Sequence, residues 1–164
     1  MSSFKTLYLE KAGTAVFAPN AYNDDPRFRS IVREWKERVS SDVALLGVPF
    51  DHGVMLSGGR AGAAKAPDAI RAELRRYGTA YNPERNAALC RLSVVECGNI
   101  RVVRAQSRAT HDRVSAAVRQ ILKSSEAVIV FGGGHDVTYA TVRGLSQSAG
   151  RPVCGMNIDA HFDV

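Results

Sequence analysis

At 164 residues, 45% hydrophobic and 23% charged, the chain has the composition of a globular domain large enough to bury a core. That balance excludes a disordered polymer, and no run of about 18 apolar residues is present to cross a bilayer as a helix. The net charge of +6 would suit a nucleic-acid partner, but the arginines are dispersed along the chain, so solvated helix faces account for them.

The first residues lack the apolar core of a signal peptide, which points to a cytoplasmic protein. Asp25-Pro26 has the signature of a helix start, and Phe28, Ile31, Val32, Trp35 and Val39 follow at helical spacing, which predicts a first helix that Ser40-Ser41-Asp42 ends. Val43 to Val48 reads as a strand covered on both faces. A glycine-dense loop with Gly53, Gly58, Gly59 and Gly62 comes next; in it Asp51 and Arg60 are expected to form a stabilising pair and His52 to be a loop residue. Pro67 and Asp68 open a second helix carrying Ile70 and Leu74, and Leu92 to Val95 reads as a strand. Thr110 is the expected cap of a third helix with Val114, Ala117, Val118, Ile121 and Leu122 inward, placing His111 on its exposed start.

Val128 to Phe131 reads as a second fully buried strand, Val137 to Leu145 as a helix and Val153 to Ile158 as a last strand. Strands alternating with amphipathic helices predict an α/β fold, a mostly parallel sheet with helices on both faces, in one domain without repeat or linker. Cys90, Cys97 and Cys154 are odd in number and form no C-x-x-C pair, so buried reduced thiols are expected.

Ligands of open parallel sheets gather outside the carboxyl ends of the strands. Two chemically competent clusters fall at such ends: Gly132-Gly133-Gly134-His135 after Phe131, and Asp159-Ala160-His161-Phe162-Asp163 after Ile158. Topology predicts that His135 and Asp159 meet in one crevice. On a continuing strand Asp159, His161 and Asp163 would share a face, with the outer two about 13 Å apart at roughly 3.3 Å per residue, too far for one ion. Either the chain curls after Asp159 or the side chains serve two ions, and both can hold together. Mixed imidazole and carboxylate donors suit Mn²⁺, Fe²⁺, Co²⁺ or Zn²⁺ and disfavour calcium. Nucleotide binding is the weaker reading: no Walker loop is present, and Val137 stands where a dinucleotide fold would need glycine.

These motifs resemble the ureohydrolases, which include arginase, agmatinase, guanidinobutyrase and formimidoylglutamase. The resemblance runs from about Val43 onward, through Gly47-Val48-Pro49-Phe50-Asp51, Gly58-Gly59-Arg60-Ala61-Gly62-Ala63, Ala66-Pro67-Asp68-Ala69-Ile70-Arg71 and the two clusters above. It implies a three-layer arginase-like α/β sandwich and two Mn²⁺ ions, with His135 and Asp163 on one ion, His161 on the other and Asp159 bridging. It also implies hydrolysis of a small amidine or guanidine, closed homo-oligomers, and no nucleic-acid or membrane partner. The three glycines before His135 and the phenylalanine in D-A-H-F-D look closer to formimidoylglutamase, and hence to conversion of N-formimidoyl-L-glutamate to L-glutamate and formamide in histidine degradation. Residues 1–164 would then be the N-terminal part of a single domain incomplete at its C-terminus, with a second aspartate pair and the proton-handling groups beyond Val164. The alternatives are another ureohydrolase (agmatinase, guanidinobutyrase or arginase) and a half-length binding module without activity. From the incomplete ligand set, the 164-residue chain alone is expected to bind manganese weakly and to turn over little; calorimetry that found a micromolar or tighter dinuclear site would contradict this.

Overall fold

The structure, a computed structural model, describes residues 8–14, 16–17, 27–78 and 81–160. Its elements in chain order are β1 (Leu9–Glu10), α1 (Phe28–Ile31), β2 (Val32–Glu34), β3 (Ser41–Gly47) and α2 (His52–Leu56). They continue with a 3₁₀ turn (Ala63–Lys65), α3 (Ala66–Arg76), a small hairpin of β4 (Tyr81–Asn82) and β5 (Ala87–Ala88), and β6 (Val94–Ile100). A second 3₁₀ turn (Leu89–Arg91) joins β5 to β6, and α4 (Ser107–Ile121), β7 (Ser125–Phe131) and α5 (Val137–Ala149) follow.

Among the described residues the main sheet is built around β3 and β6. β3 pairs in parallel with β6 on one side and β7 on the other. Along its far edge β6 carries β2 in parallel and β1 antiparallel, at opposite ends. The carboxyl ends of β3, β6 and β7 therefore open on one edge of the sheet.

Alternation along β3 divides the core into two layers. Ala44 and Leu46 pack, with Val95 and Cys97, against Val114, Ala117, Val118 and Ile121 of α4 and Val137 and Ala140 of α5. Val43 and Leu45 face the other way, with Val32, Val94, Phe131, Phe28, Ile31 and Leu74 of α3. Helices lie on both faces of a mostly parallel sheet, as expected. Among the described residues no helix is long and apolar enough to cross a membrane.

Several expectations need correction. The first helix is one turn, and Val32–Glu34 is a strand in register with Val94, Val95 and Glu96. Val32 and Trp35 are both buried, but in different core layers. Three residues apart on a helix they would share a face; on extended chain an odd separation sends them to opposite faces. The sheet edge outweighed the local spacing, while Asp25 and Pro26 lie outside the described residues. β7 is longer than expected and only half covered, with Ile129 49% exposed, because β3 is the strand that pairs with it. Val153 to Ile158 forms no strand: among the described residues the segment has no ladder partner, and Met156 and Ile158 are exposed. β6 runs on to Ile100, and Thr110 lies inside α4 rather than at its cap, its hydroxyl accepting from Val103 N–H and donating to Val103 C=O. Only Cys97 of the three free cysteines is buried; Cys90 sits on the surface turn before β6 and Cys154 in the uncovered segment after α5.

The sharpest departure from simple layering is Arg71, fully buried where α3 meets the sheet. Its Nε and Nη2 donate to the two Glu96 oxygens at 2.9 and 2.8 Å, Nη1 to Asn99 Oδ1 at 2.8 Å, and Nη2 also to the Gly98 carbonyl at 2.9 Å. The guanidinium lies 5.5 Å from the Phe131 ring centre. Removing one partner of such a pair leaves a buried charge unmatched. Arg71→Met should cost about 3–5 kcal/mol in urea unfolding, and adding Glu96→Gln should recover part of the loss. Two independent, additive effects would show that the pair does not act as a unit.

Candidate metal centre

Two loops leave the sheet side by side, one after β3 and one after β7. Gly47 is paired with Phe131 at the end of the ladder, and Val48 N–H donates to the Phe131 carbonyl at 2.8 Å. Two residues on, the loops join again: Gly134 N–H donates to the Phe50 carbonyl at 2.8 Å. This contact explains the glycine between them, because a Cβ at Gly133 would fall on the Phe50 carbonyl. The turn lies flat on the neighbouring loop, with α5 starting immediately after it.

His135 sits on this turn with its side chain 53% exposed. The chain returns to it after α5, and His135 Nδ1 comes within 3.7 Å of Asp159 Oδ2. The structure thus brings His135 and Asp159 together without the strand expected to carry Asp159. His161 and Asp163 lie outside the described residues. Among the described residues no three His, Cys, Asp or Glu side chains gather closely enough to hold a metal ion. An imidazole nitrogen and a carboxylate oxygen, closer than 4 Å but beyond hydrogen-bond length, are a donor pair compatible with a divalent first-row cation. His135 and Asp159 therefore fit two places of a mixed nitrogen and oxygen site.

Around this pair the structure revises three readings. Asp51 does stabilise its loop, but its partners are the backbone N–H groups of Gly62 at 2.7 Å and Ala64 at 3.2 Å rather than Arg60. Those two donors favour the carboxylate and hold its pKa below the usual aspartate value. His52 is the first residue of α2 rather than a loop residue, and its Nδ1 lies 3.1 Å from Ser107 Oγ, tying that end of α2 to the start of α4. His111 is not on an exposed helix start: its side chain is 15% exposed, and Nε2 lies 2.7 Å from Asp136 Oδ2, the residue after His135. His111 heads the stripe of Val114, Val118 and Ile121, whose spacing of three and four was available in the sequence. With the cap at Thr110, His111 would be the first helical residue; because α4 starts at Ser107, it lies inside the helix.

Comparison with known proteins gives this geometry a context. The family profile described as the arginase family matches residues 41–164. The chain belongs to the arginase family. The match takes in both sheet-edge loops and the Asp159 segment. Formimidoylglutamase of Hahella chejuensis is 36% identical over 143 residues, which is 84% of this chain and 41% of that protein. Formimidoylglutamase of Rhodococcus jostii is 35% identical over 124 residues, 73% of this chain and 36% of that protein. Among solved structures, Trypanosoma cruzi formiminoglutamase with Mn²⁺ superposes with a TM-score of 0.66 at 31% identity, covering 76% of this chain and 41% of that one. The chain thus spans less than half the length of these arginase-family relatives. The superposition places its sheet and flanking helices in the arginase-superfamily fold.

The Asp51 anchor has a testable pH signature. A carboxylate with a lowered pKa in the folded loop contributes stability that is complete above the unfolded value and is lost as pH falls through the folded one. The Gly62 amide resonance should therefore titrate with a midpoint below about 3.9, the ordinary aspartate value. The titration should vanish in Asp51→Asn. A midpoint at or above the ordinary value would mean that these hydrogen bonds do not hold the loop in solution.

Proposed function

We propose that this chain forms part of a manganese-dependent hydrolase of linear amidines, acting on N-formimidoyl-L-glutamate. The approach of His135 to Asp159 at the carboxyl edge of an arginase-family sheet carries the proposal. The naming of its relatives as formimidoylglutamases supports the choice of substrate. In the reaction, water oxygen bonds to the formimidoyl carbon and the bond from that carbon to the glutamate nitrogen breaks. That nitrogen takes a proton, leaving L-glutamate and formamide.

Within the described residues, His135 would supply an imidazole nitrogen and Asp159 a carboxylate to the metal, with His161 and Asp163 completing the set from this chain. Two Mn²⁺ ions, when bound, supply Lewis-acid activation of water near neutral pH. The protein's part is to hold donors in place: Gly132 to Gly134 fasten the turn that carries His135 to the Phe50 loop, so the imidazole starts from a backbone already tied to the sheet. The carboxylate of Asp159 brings negative charge beside it, which favours a cation there. Free Cys90, Cys97 and Cys154 fit a reducing, cytoplasmic setting, and a closed homo-oligomer belongs to the same proposal.

The test is a product assay on the protein isolated from its own cells and supplied with Mn²⁺. N-formimidoyl-L-glutamate should give equimolar formamide and glutamate, and arginine, agmatine and 4-guanidinobutanoate should give no urea. His135→Ala and Asp159→Ala should each abolish turnover with the melting temperature unchanged. Urea release would reassign the substrate to a guanidine, and no product from any of the four would overturn the hydrolase reading.

A further inference from the structure

Behind the candidate metal centre lies a buried contact that neither motif announces. The Asp136 carboxylate sits in a slot: a Cβ at Gly53 would come 2.7 Å from its Oδ1, and one at Gly134 would collide with the same atom. Among the described residues the buried Oδ1 makes no hydrogen bond, and the 2.7 Å contact of Oδ2 with His111 Nε2 is this carboxylate's polar anchor. The Asp136 side chain is 27% exposed as a whole, but a buried carboxylate oxygen is costly to leave without a donor. The His111 ring is itself bracketed, with ring centres 6.3 Å from Phe50 and 6.3 Å from Tyr139. His111 therefore touches both loops that meet at the site. Phe50 is the residue whose carbonyl receives Gly134 N–H, and Asp136 is the residue that follows His135.

We propose that His111 is a positioning residue for the metal centre: by binding Asp136 from α4, it holds the Gly132–Asp136 turn in the conformation that presents His135 beside Asp159. The inference rests on the metal-centre reading given above. His111 touches no reacting atom. It acts two residues removed, through the Asp136 side chain and the backbone into His135, in the way that the groups behind metal ligands set ligand orientation. The same logic accounts for Gly53 and Gly134. Each must lack a side chain because the Asp136 carboxylate occupies the space a Cβ would take.

The test compares His111→Leu, which keeps apolar volume and removes the donor, with His111→Gln, whose amide N–H can reach the position of Nε2. Two quantities are measured on the full chain: hydrogen exchange of the Gly134 amide, and Mn²⁺ affinity from the electron paramagnetic resonance signal of free ion. His111→Leu should speed Gly134 exchange by about tenfold or more, the effect of losing a hydrogen bond to a charged group. It should weaken Mn²⁺ binding by about 10–100-fold. Leu45 and Leu46 amides in β3 should be unaffected, and His111→Gln should recover most of both losses. Unchanged Gly134 exchange in His111→Leu would overturn the inference, as would a loss shared equally with β3, which would make His111 a packing residue only. If His111→Leu does not fold, Asp136→Asn makes the same comparison with the slot still filled. A wild-type chain that binds no Mn²⁺ would instead sink the metal-centre reading, and the Gly134 exchange ratio would still decide whether His111 orders the turn.

Discussion

The hydrogen bond from Gly134 N–H to the Phe50 carbonyl is where the sheet becomes a site. Up to Gly47 and Phe131, β3 and β7 are held by an ordinary parallel ladder. Beyond them the chains would diverge into separate loops, but the bonds from Val48 N–H to Phe131 and from Gly134 N–H to Phe50 extend the pairing past the end of regular structure. Each loop is thereby ordered by the other. A turn tied in this way loses little further freedom when a ligand binds, because its backbone entropy was already surrendered in folding. His135 inherits that order, although its own side chain is half exposed.

The sheet edge that supports this arrangement depends in turn on Arg71. Pairing of β3 with β6 shifts register between Leu45 and Gly47, at the level of Asn99. A Cβ at Gly47 would collide with Asn99 Oδ1 and come 2.7 Å from the Arg71 guanidinium. The irregularity and the buried charge are therefore one feature. Arg71 satisfies Glu96, Asn99 and the Gly98 carbonyl where the ladder is broken, and the missing side chain at Gly47 makes room for it. Breaks in a ladder beside a binding edge commonly re-aim the chain that follows. Here the chain that follows is Val48 to Phe50, the partner of the glycine turn.

Most of the layering was legible because it rests on periodicity. Ala44 and Leu46 against Val43 and Leu45, and the inward stripe of α4, are patterns that a sequence carries explicitly. The errors arose where pairing overrode pattern. Phe28, Ile31, Val32 and Trp35 have helical spacing, yet the free edge of β6 took Val32 to Glu34 as a strand. Val153 to Ile158 has the composition of a strand, but β-structure needs a partner and the segment has none among the described residues. At the site, the meeting of His135 with Asp159 was legible from their chemistry, although only His135 follows a strand. The contacts of Asp51 with Gly62 and Ala64, and of His111 with Asp136, span 11, 13 and 25 residues, and no local rule reports which polar groups will meet across such separations.

The division of burial within the site follows from what each part must do. A donor that is to receive an ion from solvent has to be reachable, which suits the half-exposed side chain of His135. Exposure, however, gives that donor little packing to fix its direction. Order is then supplied from behind, through groups that are wholly or partly buried: the Phe50 carbonyl, the Asp136 carboxylate in its slot and the His111 ring between Phe50 and Tyr139. Motif spacing advertises the exposed donors, whereas the residues that hold them show only as an interruption of an apolar stripe or as a glycine with no evident turn to make. Gly53 and His111 are such positions, and both are explained by the carboxylate of Asp136.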